Sequence, residues 1–460
     1  MELYPLLVLV VGIAIVMGLI LALRVNAFIA LIVAAFVVSL MAPGELSGKI
    51  TRVINAFGSV AGAIGIVIAL AAVIGKALMD SGGAQRIVNA MTGALGEKRT
   101  PLALLGSGYV LSVPVFFDTV FYLLIPLARS LFAKQRKNYI LMTLAIVAGG
   151  AVTHTMVPPT PGPLAMATAL DIDLGIMILV GAMVGLPMAF GGLAVARFLD
   201  RRNPIEMRPY PGEDPAAPQT DRPLPPLMLS LAPVVLPVIL ISANTFATAL
   251  AGPADSQTEG WRLAVGITSV LGNPSMALLF SAAIALYMVA RYCGRSLAEL
   301  AVDTEQALMG GGVVILITAA GGAFGAMLRE AGIQEPIQAM MGGSASGAGI
   351  GVLLSGAAVA SLIKFAQGSG TVAMITASSM FAAMGFGAGT LDFHPVYLAC
   401  AIGSGSLIGD WMNNSGFWVY AKMSVLTTEE TLRTWTLLTA SLGVIGLIVT
   451  IVLSTILPLN

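Results

Sequence analysis

Long apolar runs alternate with short polar connections along the chain. In the first half these are Leu3–Leu23, Ala27–Ala42, Phe57–Met79 and Ile176–Phe198. In the second they are Leu227–Leu250, Arg262–Ala290, Ala307–Leu328 and Trp435–Leu457. Runs of about 20 apolar residues cross a hydrocarbon core as helices, so each predicts a transmembrane helix. Leu3–Leu23 has no basic stretch before it and no small-residue cleavage site, so it reads as a first span rather than a signal peptide.

Two further apolar segments are interrupted. Residues 140–169 contain "GAVTHTMVPPTPGPLAMA", Gly150–Ala167, and residues 396–422 contain "DWMNNSG", Asp410–Gly416. Proline inside a helix removes a hydrogen bond, and lipid offers no water to replace it. Broken helices at membrane depth are tolerated where they line a cavity. A third kind of segment, residues 101–132, is bent at Val113-Pro114 and has basic residues on both flanks: Lys98 and Arg99 before, Arg129, Lys134, Arg136 and Lys137 after. Both ends therefore belong on the cytoplasmic side, which predicts a re-entrant hairpin. Residues 349–386 form its counterpart.

The counterpart is one of several. Lys76–Met91 aligns with Gly325–Met340, pairing Ala77, Gly83, Gln85, Ala90 and Met91 with Ala326, Gly332, Gln334, Ala339 and Met340. Ser112 and Phe116 pair with Ser361 and Phe365 at the same offset, and the two interruptions fall in corresponding places. Five crossings plus a hairpin is an odd number, so the second half starts on the opposite side. The expectation is an all-α integral membrane protein of two inverted repeats, residues 1–199 and 227–460. With both termini outside, most Lys and Arg fall inside; Lys49, Arg52, Arg262 and Arg329 fall outside. Residues 200–226 join the halves; eight of these 27 are proline, and they carry dense charge, so they read as an extended cytoplasmic linker.

Composition agrees with membrane insertion. Of 460 residues 57% are apolar and 10% charged, against about 25% charged in soluble domains. The formal net charge is zero, which argues against nucleic acid as a partner. Cys293 and Cys400 are isolated and read as buried thiols without a disulfide or metal role. Neither metal nor cofactor is called for. A G-x-S-x-G elbow is lacking, and no acid is placed by sequence to orient His154, so an intramembrane hydrolase is the weaker alternative. Matched interrupted helices point instead to a secondary transporter with its site at their meeting point.

At "DSGGAQRI" (80–87), "PVFFDTVFYLLIPLARSL" (114–131), "HTMVPPTPGP" (154–163), "QGSGTVAMIT" (367–376) and "NNSGFWVYAKM" (413–423) the chain resembles the gluconate permease family. The pieces occur in the family's order over most of the chain. The family often has a second histidine after the proline pair, where this chain has Thr160. The resemblance implies an elevator motion of a transport domain against a scaffold. It also implies a small anionic substrate such as gluconate, another sugar acid or D-serine, coupling to protons, a homodimer held by scaffold helices, and residence in the lipid bilayer of a bacterial inner membrane. Sodium coupling stays open, because freed carbonyls and Asn side chains bind sodium too.

Individual residues follow. Asp118 stands just past the hairpin bend, where a carboxylate is costly unless paired or protonated; it reads as a proton site or as a helix cap. His154, beside the first break, suits a substrate hydroxyl or a proton relay, or a freed carbonyl. Thr155, Pro158 and Thr160 share that break. Gln367, Gly368, Ser369, Gly370 and Thr371 form the second hairpin's tip, where glycine lets backbone N–H groups approach a ligand. Asn413, Asn414 and Ser415 serve the second break. Asp410 is either a proton site or a buried partner. Lys364 meets a substrate carboxylate, pairs with Asp118, or snorkels to the interface. His394 and Lys76 read as structural. Gly58/Gly62 and Gly181/Gly185 read as close-packing pairs. The mobile unit is expected to hold residues 80–170 and 330–422, with the remaining spans as scaffold.

Overall fold

The computed structural model describes residues 4–19, 23, 25–96, 99–114, 116–209, 223–251, 258–332, 349–387, 390–412 and 414–459. Among them every regular element is a helix. Seven helices are long and apolar enough to cross a membrane: Leu46–Asp80, Tyr139–Ala169 with its interruption, Leu174–Arg202, Leu227–Thr248, Pro274–Cys293, Leu297–Glu330 and Thr428–Ile456.

The helices form two packed groups. The first holds α1 (Tyr4–Met17), α2 (Ala27–Met41) and α3 (Leu46–Asp80), later joined by four more. α3 begins 11 residues before the expected span Phe57–Met79 and ends one residue after it. The second group begins with α4 (Gly83–Leu95), which bridges the two, and continues with α5 (Thr100–Leu111) and α6 (Phe117–Gln135). α5 and α6 are the two arms of the expected hairpin at residues 101–132, folded about Ser112–Pro114.

α7 (Tyr139–Met156) is the axis of the second group. Every residue of it except His154 is buried. α7 ends at Val157, and α8 (Pro161–Ala169) restarts with Pro161 in the first helical position, where its missing N–H is not needed. α9 (Leu174–Arg202) packs along α7 so closely that a Cβ on Gly181 would stand 2.1 Å from the Met156 carbonyl oxygen. The expected Gly181/Gly185 contact is therefore met. The Gly58/Gly62 pair meets no such contact among the described residues: nothing there lies within 4 Å of a Cβ built on either glycine.

After the linker, α10 (Leu227–Ala251), α11 (Glu259–Leu271), α12 (Pro274–Cys293) and α13 (Leu297–Glu330) join the first group, α13 lying along α3. The single span expected at Arg262–Ala290 is in fact two helices. Asn273 caps α12 by accepting from Ser275 N–H at 3.0 Å, and Pro274 follows it, so the chain restarts there. α14 (Gly349–Gln367) and α15 (Gly370–Ala383) are the second hairpin. α16 (Val396–Gly405) and α17 (Ser415–Met423) flank the second break, and α18 (Thr428–Ile456) closes the chain with a π-helical turn at Leu432–Thr436.

α9 and α18, both uninterrupted, pack on α7 and α16, beside the broken helices. An apolar sequence reads the same whether it faces lipid or a neighbouring helix, so composition does not distinguish the two placements. Cys400 is buried and Cys293 half-buried, its Sγ donating to the Asp80 carbonyl at 3.0 Å; both are free thiols. Lys76 pairs with Asp80 at 2.9 Å, one turn along α3.

Candidate functional site

Both hairpin tips and the second break converge on one cavity of about 300 Å³, with the C-terminal end of α7 in its wall. Gly368 makes the second tip possible: its φ of +87° is a left-handed conformation that glycine adopts without strain. Ser369 then caps α15, its hydroxyl accepting from Val372 N–H at 3.3 Å. The first-turn N–H groups of Gly370 and Thr371 are thereby left at the cavity wall.

The second break is built from side chains. Asn414 caps α17 by accepting from Gly416 N–H at 3.2 Å. Its amide nitrogen donates to both Asp410 oxygens at 2.8 Å. Asp410 in turn pairs with Lys364 at 2.9 Å, and Lys364 Nζ also donates to the Gly368 carbonyl at 2.7 Å. Both charged side chains are almost wholly buried, 3% and 4% exposed. The break is pinned to α14 from behind: the Trp411 indole N–H donates to Phe365 O at 2.9 Å and its ring stacks on Phe365. Asp410 is thus buried between Lys364 and Asn414. Lys364 neither snorkels to the surface nor pairs with Asp118; it stays in the interior because Asp410 and a tip carbonyl satisfy it there.

Asp118 lies in the first turn of α6. It does not cap the helix; its Oδ2 accepts from the Ser415 hydroxyl at 3.2 Å, across the cavity wall between the first hairpin and the second break. His154 lies over Phe116, ring centroids 6.0 Å apart, and its Nδ1 is buried without a partner. Thr155 also lines the cavity.

The structure therefore brings together Asp118, His154, Thr155, Lys364, Gly368, Ser369, Gly370, Thr371, Asp410, Asn414 and Ser415. It does not bring Pro158 or Thr160 to them. Thr160 lines a separate small void with Pro159, Pro161 and Ile68, and its hydroxyl donates to Val157 O at 2.6 Å. Asn413 and the Gln367 side chain lie outside the described residues. His394 is away from the cavity, its Nδ1 accepting from Val396 N–H at 3.2 Å. Among the described residues no group of His, Cys, Asp and Glu has the arrangement of a metal site.

Sequence reasoning missed Phe116, Phe117, Ser406, Trp435 and Thr439, which also line the cavity. The two phenylalanines adjoin Asp118 at the hairpin bend, and that position was a usable signal. Ser406, Trp435 and Thr439 sit in apolar runs and carry none.

Comparison with known proteins places this arrangement. The model of the GntP family permeases matches residues 4–456. The Gnt-II system L-idonate transporter of Escherichia coli (strain K12) is 30% identical over 96% of this chain and 98% of its own length. A gluconate permease of Pseudomonas aeruginosa is 31% identical, covering 94% of each chain. Among solved structures the YdaH transporter of Alcanivorax borkumensis shares the fold, with a TM-score of 0.65 at 14% identity over 99% of this chain and 100% of that one. With the apolar helices and the polar cavity they enclose, these matches show that the chain belongs to the GntP permease family, as a multi-pass transporter of the cytoplasmic membrane and not an enzyme.

Proposed function

We propose that the protein imports gluconate or a closely related small hydroxylated carboxylate by proton symport. The observation that carries this reading is the cavity. Three helix N-termini, those of α6, α15 and α17, open onto it, and such ends favour an anion through their free N–H groups and dipoles. The hydroxyl and amide groups of Ser369, Thr371, Asn414 and Ser415 suit a polyhydroxylated chain. Relatives named as gluconate and L-idonate transporters support the sugar-acid class.

Coupling follows from charge. Lys364 and Asp410 cancel, and Asp118 has no cation paired with it among the described residues. A substrate carboxylate would add a second uncompensated anion to a low-dielectric chamber. Proton uptake by Asp118 on substrate binding removes that repulsion and lets the loaded site cross nearly neutral. The alternating step is an elevator motion. In its support, every residue lining the cavity belongs to the second helix group and none to α1–α3 or α10–α13. A site built by one group travels with it. An inverted repeat is supported by the recurring element order: a long helix (α3, α13), a hairpin (α5–α6, α14–α15), a broken helix (α7–α8, α16–α17) and a closing helix (α9, α18). A homodimer would use the outward faces of the first group, where α11 buries no residue and Gly58 and Gly62 stand open.

The test is uptake of labelled gluconate into proteoliposomes with a pH gradient and a sodium gradient imposed separately. Accumulation driven by external acid alone is expected. Accumulation that needs sodium, or none with gluconate under either gradient, overturns the reading.

A further inference from the structure

Two side chains from opposite halves of the chain meet at the cavity wall. Asp118, in the first turn of α6, accepts from the Ser415 hydroxyl at 3.2 Å, although 297 positions of sequence separate them. Both line the cavity, where Asp118 is half-buried and Ser415 exposed. Neither is sealed into the core, so a ligand in the cavity reaches both.

Ser415 is the first residue of α17, and the Asn414 side chain caps the next N–H, that of Gly416. The Ser415 N–H is among those that a helix start does not use within the helix. An anion drawn to this end of α17 by its N–H groups and dipole comes to lie beside the Ser415 hydroxyl.

That hydroxyl has one proton to give. An ionised carboxylate only accepts, so an ionised Asp118 holds the Ser415 proton and Ser415 turns only lone pairs to the cavity. A substrate carboxylate also only accepts, and finds no donor there. A protonated Asp118 becomes the donor instead. The Ser415 oxygen accepts from it, and the Ser415 proton turns to the cavity. One proton enters from solution and stays on Asp118, while Ser415 keeps its own.

The other ionisable groups around Asp118 are engaged elsewhere or stand apart. Lys364 and Asp410 pair with each other at 2.9 Å. His154 of α7 lies over the Phe116 ring. Arg86 of α4 and Lys422 of α17 are exposed and line no part of the cavity. Tyr109 of α5 donates to the Ala182 carbonyl at 3.3 Å, and the Tyr420 hydroxyl of α17 bonds that of Thr143 at 3.3 Å. On α6 itself Arg129 donates to the Tyr139 hydroxyl and the Arg208 carbonyl, and Tyr122 is exposed.

We propose that Ser415 is the switch that links proton and substrate: its hydroxyl donates to Asp118 while the site is empty and to the substrate carboxylate once Asp118 is protonated. This rests on the proton-symport reading above and gives it an atom. The linkage is reciprocal, so protonation strengthens substrate binding by the same factor as substrate strengthens protonation.

The experiment measures the Kd of D-gluconate by calorimetry on the purified protein, from mildly acid to mildly alkaline pH. The unsubstituted protein should bind more weakly as pH rises. Ser415→Ala should lose about tenfold in affinity at the acid end and far less at the alkaline end, so that its pH dependence flattens. Ser415→Thr keeps a hydroxyl and should restore the dependence. Asp118→Asn, whose amide donates as a protonated carboxyl does, should bind with little dependence on pH. Adding Ser415→Ala to it should cost about tenfold at every pH. If Ser415→Ala does not elute as a single species in detergent, Ser415→Cys, whose thiol is a weak donor, replaces it with the same expected outcomes. Equal weakening at every pH in Ser415→Ala overturns the proposal, as does no change at all. Undiminished pH dependence in Asp118→Asn also overturns it, by moving the proton to another group. Gluconate binding to the unsubstituted protein that ignores pH fails the proton-coupling reading, and no gluconate binding fails the sugar-acid reading; either takes this proposal with it.

Discussion

The two helix breaks use the same device to different ends. The first, Val157–Thr160, is uncharged and wholly buried, and its one hydroxyl bonds a carbonyl three residues back. The second carries Asp410 and Asn414 and opens onto the cavity. Prolines hold the first gap open without needing partners for N–H groups they lack. The second gap is held by an ion pair and a cap, groups that also line the cavity. One break is packed into the core and the other lines the cavity.

The contrast can be broken most forcefully at the ion pair. Removing one member of a buried pair leaves the other charge uncompensated, which costs roughly 3–5 kcal/mol. Lys364→Met should therefore abolish uptake and lower the thermal midpoint of the purified protein sharply, and adding Asp410→Leu should recover much of the stability without the transport. Melting curves of the single and double variants decide this; equal midpoints for Lys364→Met and the unsubstituted protein would show that the pair does not hold the second break.

Asp118 gives the next effect. Asp118→Asn keeps shape and mimics the protonated carboxyl. Such a variant should exchange labelled for unlabelled gluconate across proteoliposome membranes while failing to accumulate it under an imposed pH gradient. Continued accumulation would move the coupling proton elsewhere, to Asp410 or His154.

A smaller loss is expected at the caps. Ser369→Ala and Asn414→Ala should each weaken apparent gluconate affinity by about 1–3 kcal/mol where a buried ligand group loses its partner. Part of any loss of protein stability, about 1 kcal/mol, belongs to the missing helix cap. Calorimetric binding measured beside melting separates the two. The smallest effect belongs to the first break: Thr160→Val should leave the apparent KM within about twofold, while losing of order 1 kcal/mol of stability with the Thr160–Val157 bond. A tenfold rise in KM there would erase the distinction between the breaks.

Much of this was legible in the chain because it depends on local chemistry. Pro158, Pro159 and Pro161 announce a broken helix wherever it lies, and Pro114 announces the turn between α5 and α6. Gly368, Ser369 and Asn414 mark helix starts, and those starts form the cavity. What the sequence left unresolved depends on distance in space. Lys364 and Asp410 are separated by two helices and meet only in the fold. Thr160 sits in the same motif as His154, yet the turn after Val157 directs it to a different void. Trp435 opens an apolar helix like any membrane-interface tryptophan, and nothing local distinguishes it from one. The placement of α9 and α18 beside α7 was hidden for the same reason: lipid and protein neighbours select the same apolar residues.

The most direct measurement is a cryo-EM structure of the protein in nanodiscs with gluconate. Substrate density should lie between the tip at Ser369 and the second break at Asn414, wholly within the second helix group, with none beside Thr160. Gluconate bound against α3 or α13, or inside the void at Thr160, would contradict the account.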